Sequence, residues 1–419
     1  MDPRRNNIFN PNSIKKMRGK EILNVCFVTP EYFPISGGTG AYVYYLSHNL
    51  QKLGYNVHVV ARNKQDSEKT VNGIKVHYIK GVGNALTRYW RFARSASKKL
   101  KELNKQNNFD IIHANLPLVP SFAIPKGASK KIVCAVHSTW MGEAIVTKQD
   151  NPKELNPNEK SMLRFNFILR SYEKKLMKRS DALIAVSKYT VDELTDLYGI
   201  DEKKIHVIYN GVDVEKFKQR PNIPELRREF GLEEDRKIVL FVGRLYHRKG
   251  LETLLRSIPP ILEEFKDIRF IISGKGFKQK EESLRNLAKE LNIEDYVTFL
   301  GYVPDDKLPN VYSFSDIFVL PAIYENFPFA ILEAQSTGLP VISTKVGGIP
   351  EFLINNENGL LIDPRDPKQL TQSVLALLKD TELAKEMGNR GRKLIEEKFD
   401  WRLITGQVIE LYHKLLETT

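Results

Sequence analysis

The sequence predicts an α/β protein of two doubly wound halves, and three observations carry that expectation. At 419 residues the chain is longer than one hydrophobic core usually serves. From residue 22 onward, short apolar runs alternate with longer amphipathic stretches, as repeated βα units around a parallel sheet require. Between two such series lies NGVDVEKFKQRPNIPE, polar and proline-containing, which reads as a join at about 214–224.

In the first half, strands are expected at ILNVCFVTP, YNVHVVA, IKVHYI, FDIIHAN, KIVCAVHS, ALIAVS and IHVIYNG. In the second they are expected at IVLFVGR, RFIISG, VTFLG, IFVLPA, PVIST and NGLLID, each followed by a helix-like or turn-rich segment. The domains therefore read as 1–217 and 218–399. The closing DWRLITGQVIELYHKLLETT has the apolar spacing of an amphipathic helix.

Composition narrows the class. Hydrophobic residues at 42% and charged residues at 27% fit an ordinary globular protein and exclude disorder. Cys26 and Cys134 each sit in an apolar run, which suits buried thiols and a reducing, cytoplasmic setting better than a disulfide. No apolar stretch follows the basic N-terminus as a signal peptide would, and no window approaches a membrane span. A net charge of +13 favours polyanions: nucleic acid, anionic lipid or phosphate-bearing substrates.

Ligands of open α/β sheets bind beyond the carboxyl ends of the strands, so the loops there carry the candidate chemistry. Gly37 and Gly38 lead from the first strand into an amphipathic helix. Such glycines let backbone N–H groups approach a phosphate, and they equally make a tight turn. Arg244 and Lys249 share the loop after IVLFV. An Arg fork and a Lys point charge there can neutralise a diphosphate, although a solvated basic loop reads the same way. Glu325 and Glu333 stand eight apart in YENFPFAILEA, where one carboxylate can bind sugar hydroxyls and the other a ribose diol. Paired carboxylates also serve glycosidases. Two glutamates at a helix start, favoured by its dipole, are the plainer account.

Six segments in this order and spacing carry a resemblance: GGTGAYVYYLSHNLQKLGYNV, YNGVDVEKF, VGRLYHRKG, SGKGF, YENFPFAILEA and GLPVISTKVGGIPE. Together they resemble the retaining, nucleotide-sugar-dependent glycosyltransferases of family 4, over nearly the whole chain after residue 20. The resemblance implies the GT-B architecture: two Rossmann-like domains facing each other across a cleft, with a C-terminal helix, 400–419, crossing back to the first. It implies transfer of a hexosyl unit from a UDP- or GDP-sugar to an acceptor hydroxyl, in glycan, polysaccharide or glycolipid synthesis.

By the same resemblance, Arg244 and Lys249 hold the donor diphosphate, Glu333 the ribose and Glu325 the transferred sugar. Asn326, Phe327, Pro328, Phe329 and Ala330 supply backbone contacts, and Gly274 lies in the donor site. Gly37 and Gly38 close on the phosphates from the other domain, and His137 stands near the sugar's primary hydroxyl. The catalytic candidates are thus Glu325, Arg244, Lys249 and His137. A lone histidine at a strand end is also a common structural feature. Asn210, Gly211, Ser187 and Lys188 take structural roles. Phe277, in place of a proline, and Asn326, in place of a small residue, depart from the family pattern and bear on base and sugar preference.

Retention without an obvious protein nucleophile implies front-face attack, the departing phosphate oxygen accepting the acceptor's proton. With no DxD motif or His/Cys cluster, no cofactor is expected and no metal is required. The acceptor, a sugar, polyol or lipid-linked compound, is expected on the first domain. There residues 86–105 place Arg91, Arg94, Lys98, Lys101 and Lys105 opposite Leu86, Tyr89, Ala93, Ala96, Leu100 and Leu103. Such a helix suits peripheral contact with an anionic membrane, and equally the solvated face of an α/β helix. An epimerase or phosphorylase is the alternative on this architecture. A nucleic-acid-binding protein lacks its motif, so no nucleic acid is expected as a partner, and a dinucleotide-dependent dehydrogenase lacks G-x-G-x-x-G.

Overall fold

The computed structural model describes residues 21–35, 37–81, 85–116, 119, 121–149, 155, 157–221, 227–228, 230–232 and 236–418. The basic segment 1–20 and residues 222–224 of the expected join lie outside the described residues. The chain divides into two compact units. The first takes the described residues of Met1–Ala144, Ser161–Gly211 and Lys398–Thr419, and the second those of Ile145–Lys160 and Val212–Glu397.

The first unit is built on β1 (Asn24–Thr29), β2 (Asn56–Asn63), β3 (Ser67–Val71), β4 (Ile74–Lys80), β5 (Ile111–Leu116), β6 (Lys131–Val136), β7 (Ala182–Ala185) and β8 (Ile205–Val207). Their order is β3-β4-β2-β1-β5-β6-β7-β8. The central strands are short apolar runs buried on both faces, the pattern of a parallel sheet covered by helices. Asn24 is in register with Asn56 on one side of β1, and Val25 with Ile111 on the other. The edge strand β3 runs antiparallel to β4.

The sheet is covered by α1 (Gly38–Lys52), α2 (Ala85–Asn107), α3 (Trp140–Thr147), α4 (Pro157–Arg179) and the short α5 (Lys188–Asp192). Ser187 caps α5, its Oγ accepting from Thr190 N at 3.1 Å. The helix α2 buries Ala93, Ala96, Leu100 and Leu103 in the core that Cys26 and Cys134 share. Its Arg91, Arg94, Lys98, Lys101 and Lys105 are exposed, so the expected division of faces is observed; the side chain of Leu86 lies outside the described residues.

The second unit holds β9 (Lys237–Val242), β10 (Ile268–Ser273), β11 (Val297–Gly301), β12 (Ile317–Leu320), β13 (Val341–Thr344) and β14 (Leu360–Ile362), in the order β11-β10-β9-β12-β13-β14. Every pair in this sheet is parallel. Its helices are α6 (Leu251–Glu264), α7 (Lys278–Glu290), α8 (Leu308–Ser313), α9 (Phe329–Ser336), α10 (Pro367–Lys379) and α11 (Thr381–Lys398). This is a doubly wound Rossmann-like sheet, and both halves are of the expected class.

The closing helix α12 (Trp401–Glu417) belongs to the first unit. Asp400 caps it, and Trp401 packs on Tyr42 and Tyr45 of α1 with ring centroids 5.7 and 6.0 Å apart. A Cβ on Gly211 would stand 2.8 Å from Trp401 Cδ2, so the indole needs glycine there. Among the described residues, no helix is long and apolar enough to cross a membrane.

Candidate active site

The second sheet reverses its winding between β9 and β12, so the connections leaving those strands run to opposite sides and open a crevice at their carboxyl ends. Most of the expected donor residues lie on these two connections. After β9 come Arg244 and a single 3₁₀ turn, His247–Lys249, which feeds α6. After β12 come Glu325 and Asn326, then Pro328, which opens α9. The two loops are tied together where Ile323 N donates to Arg248 O at 2.7 Å. From below, Ser343 Oγ donates to Leu320 O and Thr344 Oγ1 to Ala322 O, both at 2.6 Å, anchoring the second loop on β13.

Lys249 and Glu325 form an ion pair across the crevice, their side chains only 15% and 11% exposed. In so little solvent the pair is weakly screened and holds both loops in one geometry. The sequence assigns the two residues to different groups of a ligand; the structure joins them to each other. Glu325 is fixed from behind as well, since Gly348 N donates to its carbonyl at 3.2 Å. Gly347 has φ +54°, and a Cβ there would fall 1.6 Å from Glu325 O, so no other residue fits without moving the carboxylate's backbone.

Gly274, φ +143°, lies against the other loop, where a Cβ would stand 1.8 Å from Gly243 O. Its neighbours carry that loop: Lys275 O accepts from Leu245 N at 3.0 Å, and Phe277 stacks on Tyr246 at 6.1 Å. Phe277, noted as a departure from the family pattern, thus serves as a wall for the segment following Arg244.

Asn326 and Phe327 are buried, and Phe327 packs on Phe352 with centroids 4.5 Å apart. Phe329 and Ala330 occupy the first turn of α9, the helix end whose dipole favours an anionic or hydroxylated ligand. One turn on, Glu333 Oε2 accepts from Tyr312 OH at 2.7 Å. Desolvation raises the Glu333 carboxyl from its ordinary value to about 7, against the lowering effect of that hydrogen bond. Tyr312, on α8, was not legible as a site residue: it sits 21 positions away with no motif around it.

Gly37, Gly38 and His137 lie in the first unit, apart from the group above in the chain's division. The first sheet reverses between β1 and β5. Gly37 follows β1 as the extended residue before α1, and Gly38 is the first residue of that helix. At φ −175° Gly37 makes no left-handed turn; what it offers is the absence of a side chain at a helix start. His137 follows β6 and packs edge-on against Tyr42 of α1 at 4.6 Å. Its Nε2 is buried without a hydrogen-bond partner, and burial lowers its pKa to about 3, so the ring is a neutral imidazole. Behind it, Tyr412 OH and His113 Nδ1 are 2.6 Å apart, which ties α12 to this polar cluster.

Cations on a strand-to-helix loop, a carboxylate pinned to one of them, and a second carboxylate one helical turn inside suit a phosphorylated, polyhydroxylated ligand. Comparison with known proteins agrees with this class. Residues 36–216 match Glycosyltransferase Family 4, and residues 222–394 match Glycosyl transferases group 1. An uncharacterized glycosyltransferase of Methanocaldococcus jannaschii is 30% identical, over 94% of this chain and 99% of its own length. Sucrose-phosphate synthase from Thermosynechococcus elongatus shares the fold, with TM-score 0.79 at 22% identity over 94% of this chain and all of its own. Anabaena HepE in complex with UDP-glucose does so as well, with TM-score 0.72 at 20% identity over 94% of this chain and all of its own. The chain belongs to the GT-B glycosyltransferases of family 4.

Proposed function

We propose that the protein moves a hexosyl unit, with retention of anomeric configuration, from a UDP- or GDP-sugar to an acceptor hydroxyl. The observation that carries this reading is the paired crevice of the second unit. There Arg244 and Lys249 lie on one loop, while Glu325 and the α9 N-terminus with Glu333 lie on the other. Arg244 and Lys249 neutralise the diphosphate, on which charge accumulates as the glycosyl bond breaks. Glu333, as a carboxylate, accepts from both hydroxyls of the ribose. Glu325 orients the sugar hydroxyls, and in exchange the incoming phosphate takes part of the Lys249 charge.

The reaction balances within the substrates. The bond from the anomeric carbon to the phosphate oxygen breaks, the bond to the acceptor oxygen forms on the same face, and the acceptor proton passes to the departing phosphate oxygen. The protein orients these groups and stabilises charge, and with two cations on the loop we assign the neutralisation to side chains rather than to a metal. The relative bound to UDP-glucose supports a nucleotide-sugar donor. The acceptor class follows as a sugar, polyol or lipid-linked hydroxyl compound.

The test is to offer UDP- and GDP-sugars with a panel of acceptors, and to follow release of nucleoside diphosphate together with the anomeric proton of the product. Release coupled to a product of unchanged configuration is expected. An inverted product would overturn the mechanism, and isomerised donor with no acceptor consumed would replace transfer by epimerisation.

A further inference from the structure

The first unit carries exposed apolar side chains among exposed basic ones. On α2, Trp90 is 44% exposed; on α4, Phe167 is 84% and Ile168 42% exposed. The two helices are neighbours, because Trp90 lies edge-on to Tyr172 of α4 at 5.3 Å and against Phe122 at 4.8 Å. Phe122 and Tyr172 meet in turn at 5.3 Å, which makes an aromatic seam between the helices. Single exposed apolar residues need no explanation, but Trp90 and Ile168 flank this seam, Ile168 one turn before Tyr172, and Phe167 stands next to Ile168 on the outward face of α4.

Helical spacing sets the charge around it. Arg94 and Lys101 follow Trp90 by four and eleven residues, so they share its outward face, and both are exposed. On α4, Arg164 and Lys175 bracket Phe167 and Ile168 on one stripe, both exposed, and Lys178 continues it. The acid of this part of α4, Glu173, points the other way and is buried, accepting from Tyr198 OH. Apolar side chains at the centre of a basic surface match a lipid interface, where rings enter the headgroup region and Lys and Arg meet anionic heads. A second copy of the chain fits worse, since a two-fold pairing of this face would set the same cations against each other.

We infer that the α2–α4 face of the first unit docks on anionic lipid through Trp90, Phe167 and Ile168, with Arg94, Lys101, Arg164 and Lys175 around them. None of these residues is among the assigned donor residues, so failure of this inference leaves the proposed reaction untouched. The test is co-sedimentation with vesicles of phosphatidylcholine alone and of phosphatidylcholine with phosphatidylglycerol. It uses the full chain, Phe167→Glu/Ile168→Glu and Arg94→Glu/Lys101→Glu, with melting temperature and nucleotide binding as checks that each variant is folded. We expect binding to the anionic vesicles only, weakened by salt. At roughly fivefold per basic side chain, it should fall tenfold or more in the charge variant, and similarly in the apolar one. Tryptophan fluorescence should shift to the blue on binding and should not do so in a Trp90→Phe variant, since Trp90 is 44% exposed while Trp140 is half-buried and Trp401 buried. Equal binding by the folded variants, no binding by the parent chain, or a parent dimer that the Phe167 variant dissociates would each overturn the assignment.

Discussion

Replacing Lys249 by methionine separates two tasks that the structure gives to one ammonium group. The substitution keeps the side chain as far as Cε and removes its charged end, leaving Glu325 as a carboxylate only 11% exposed. Removing one partner of a buried pair costs about 3–5 kcal/mol, and the residual exposure places this pair near the lower end, at about 3 kcal/mol. For a unit of this size that lowers the melting temperature by about 6–12 °C. Adding Glu325→Gln removes the stranded charge, so Lys249→Met/Glu325→Gln should regain most of the lost stability. Turnover should not return: one preorganised charge aimed at a leaving group is worth about 10²–10³ in rate. The assay is a double-mutant cycle on melting temperature, run beside release of nucleoside diphosphate. A single variant that melts with the parent chain, or a double variant whose losses simply add, would refute the ion pair as the clamp between the loops.

Further outcomes follow from the same geometry. Glu333 has a carboxyl raised to about 7 in the folded chain, so its contribution to stability is present below its ordinary value and is lost as pH rises through 7, while the carboxylate that binds a diol appears over that same interval. Donor affinity should therefore climb towards pH 7 and level off above it, and Glu333→Gln should flatten that limb of the kcat/KM profile. Gly347→Ala, whose Cβ would fall 1.6 Å from Glu325 O, should raise KM for the donor and lower the melting temperature, whereas alanine at Gly338, with nothing within 4 Å but φ +84°, should affect stability alone; equal donor affinity in the two variants would contradict this. Because Arg244 and Lys249 are assigned the charge of the diphosphate, turnover should persist in EDTA, and its loss with recovery on adding Mg²⁺ would revise that assignment.

The fold was legible because its strands are apolar runs buried on two faces, a pattern that depends on neighbours in sequence only. The exception is instructive. The strand β3, SEKTV, is polar and largely exposed, and forms because its backbone pairs along the edge of β4. No periodicity marks such a strand. At the candidate site, loop position was legible from the strand ends, and Arg244, Lys249, Glu325 and Glu333 were singled out that way. Partnership was not, since Lys249 meets Glu325 across 76 residues and Tyr312 reaches Glu333 across 21. Those contacts depend on strand order, which brings β12 beside β9. Likewise the orphaned Nε2 of His137 arises from Tyr42 and α1 closing over it, and a histidine after a strand says nothing of that in advance.

The most direct test of the account is calorimetric titration of UDP, GDP and ADP into the parent chain, Glu333→Ala and Lys249→Met. One base should bind selectively, and each substitution should weaken it tenfold or more while the chain stays folded. Binding of no nucleoside diphosphate, or equal binding by all three proteins, would contradict the assignment of the crevice between β9 and β12 as the donor site.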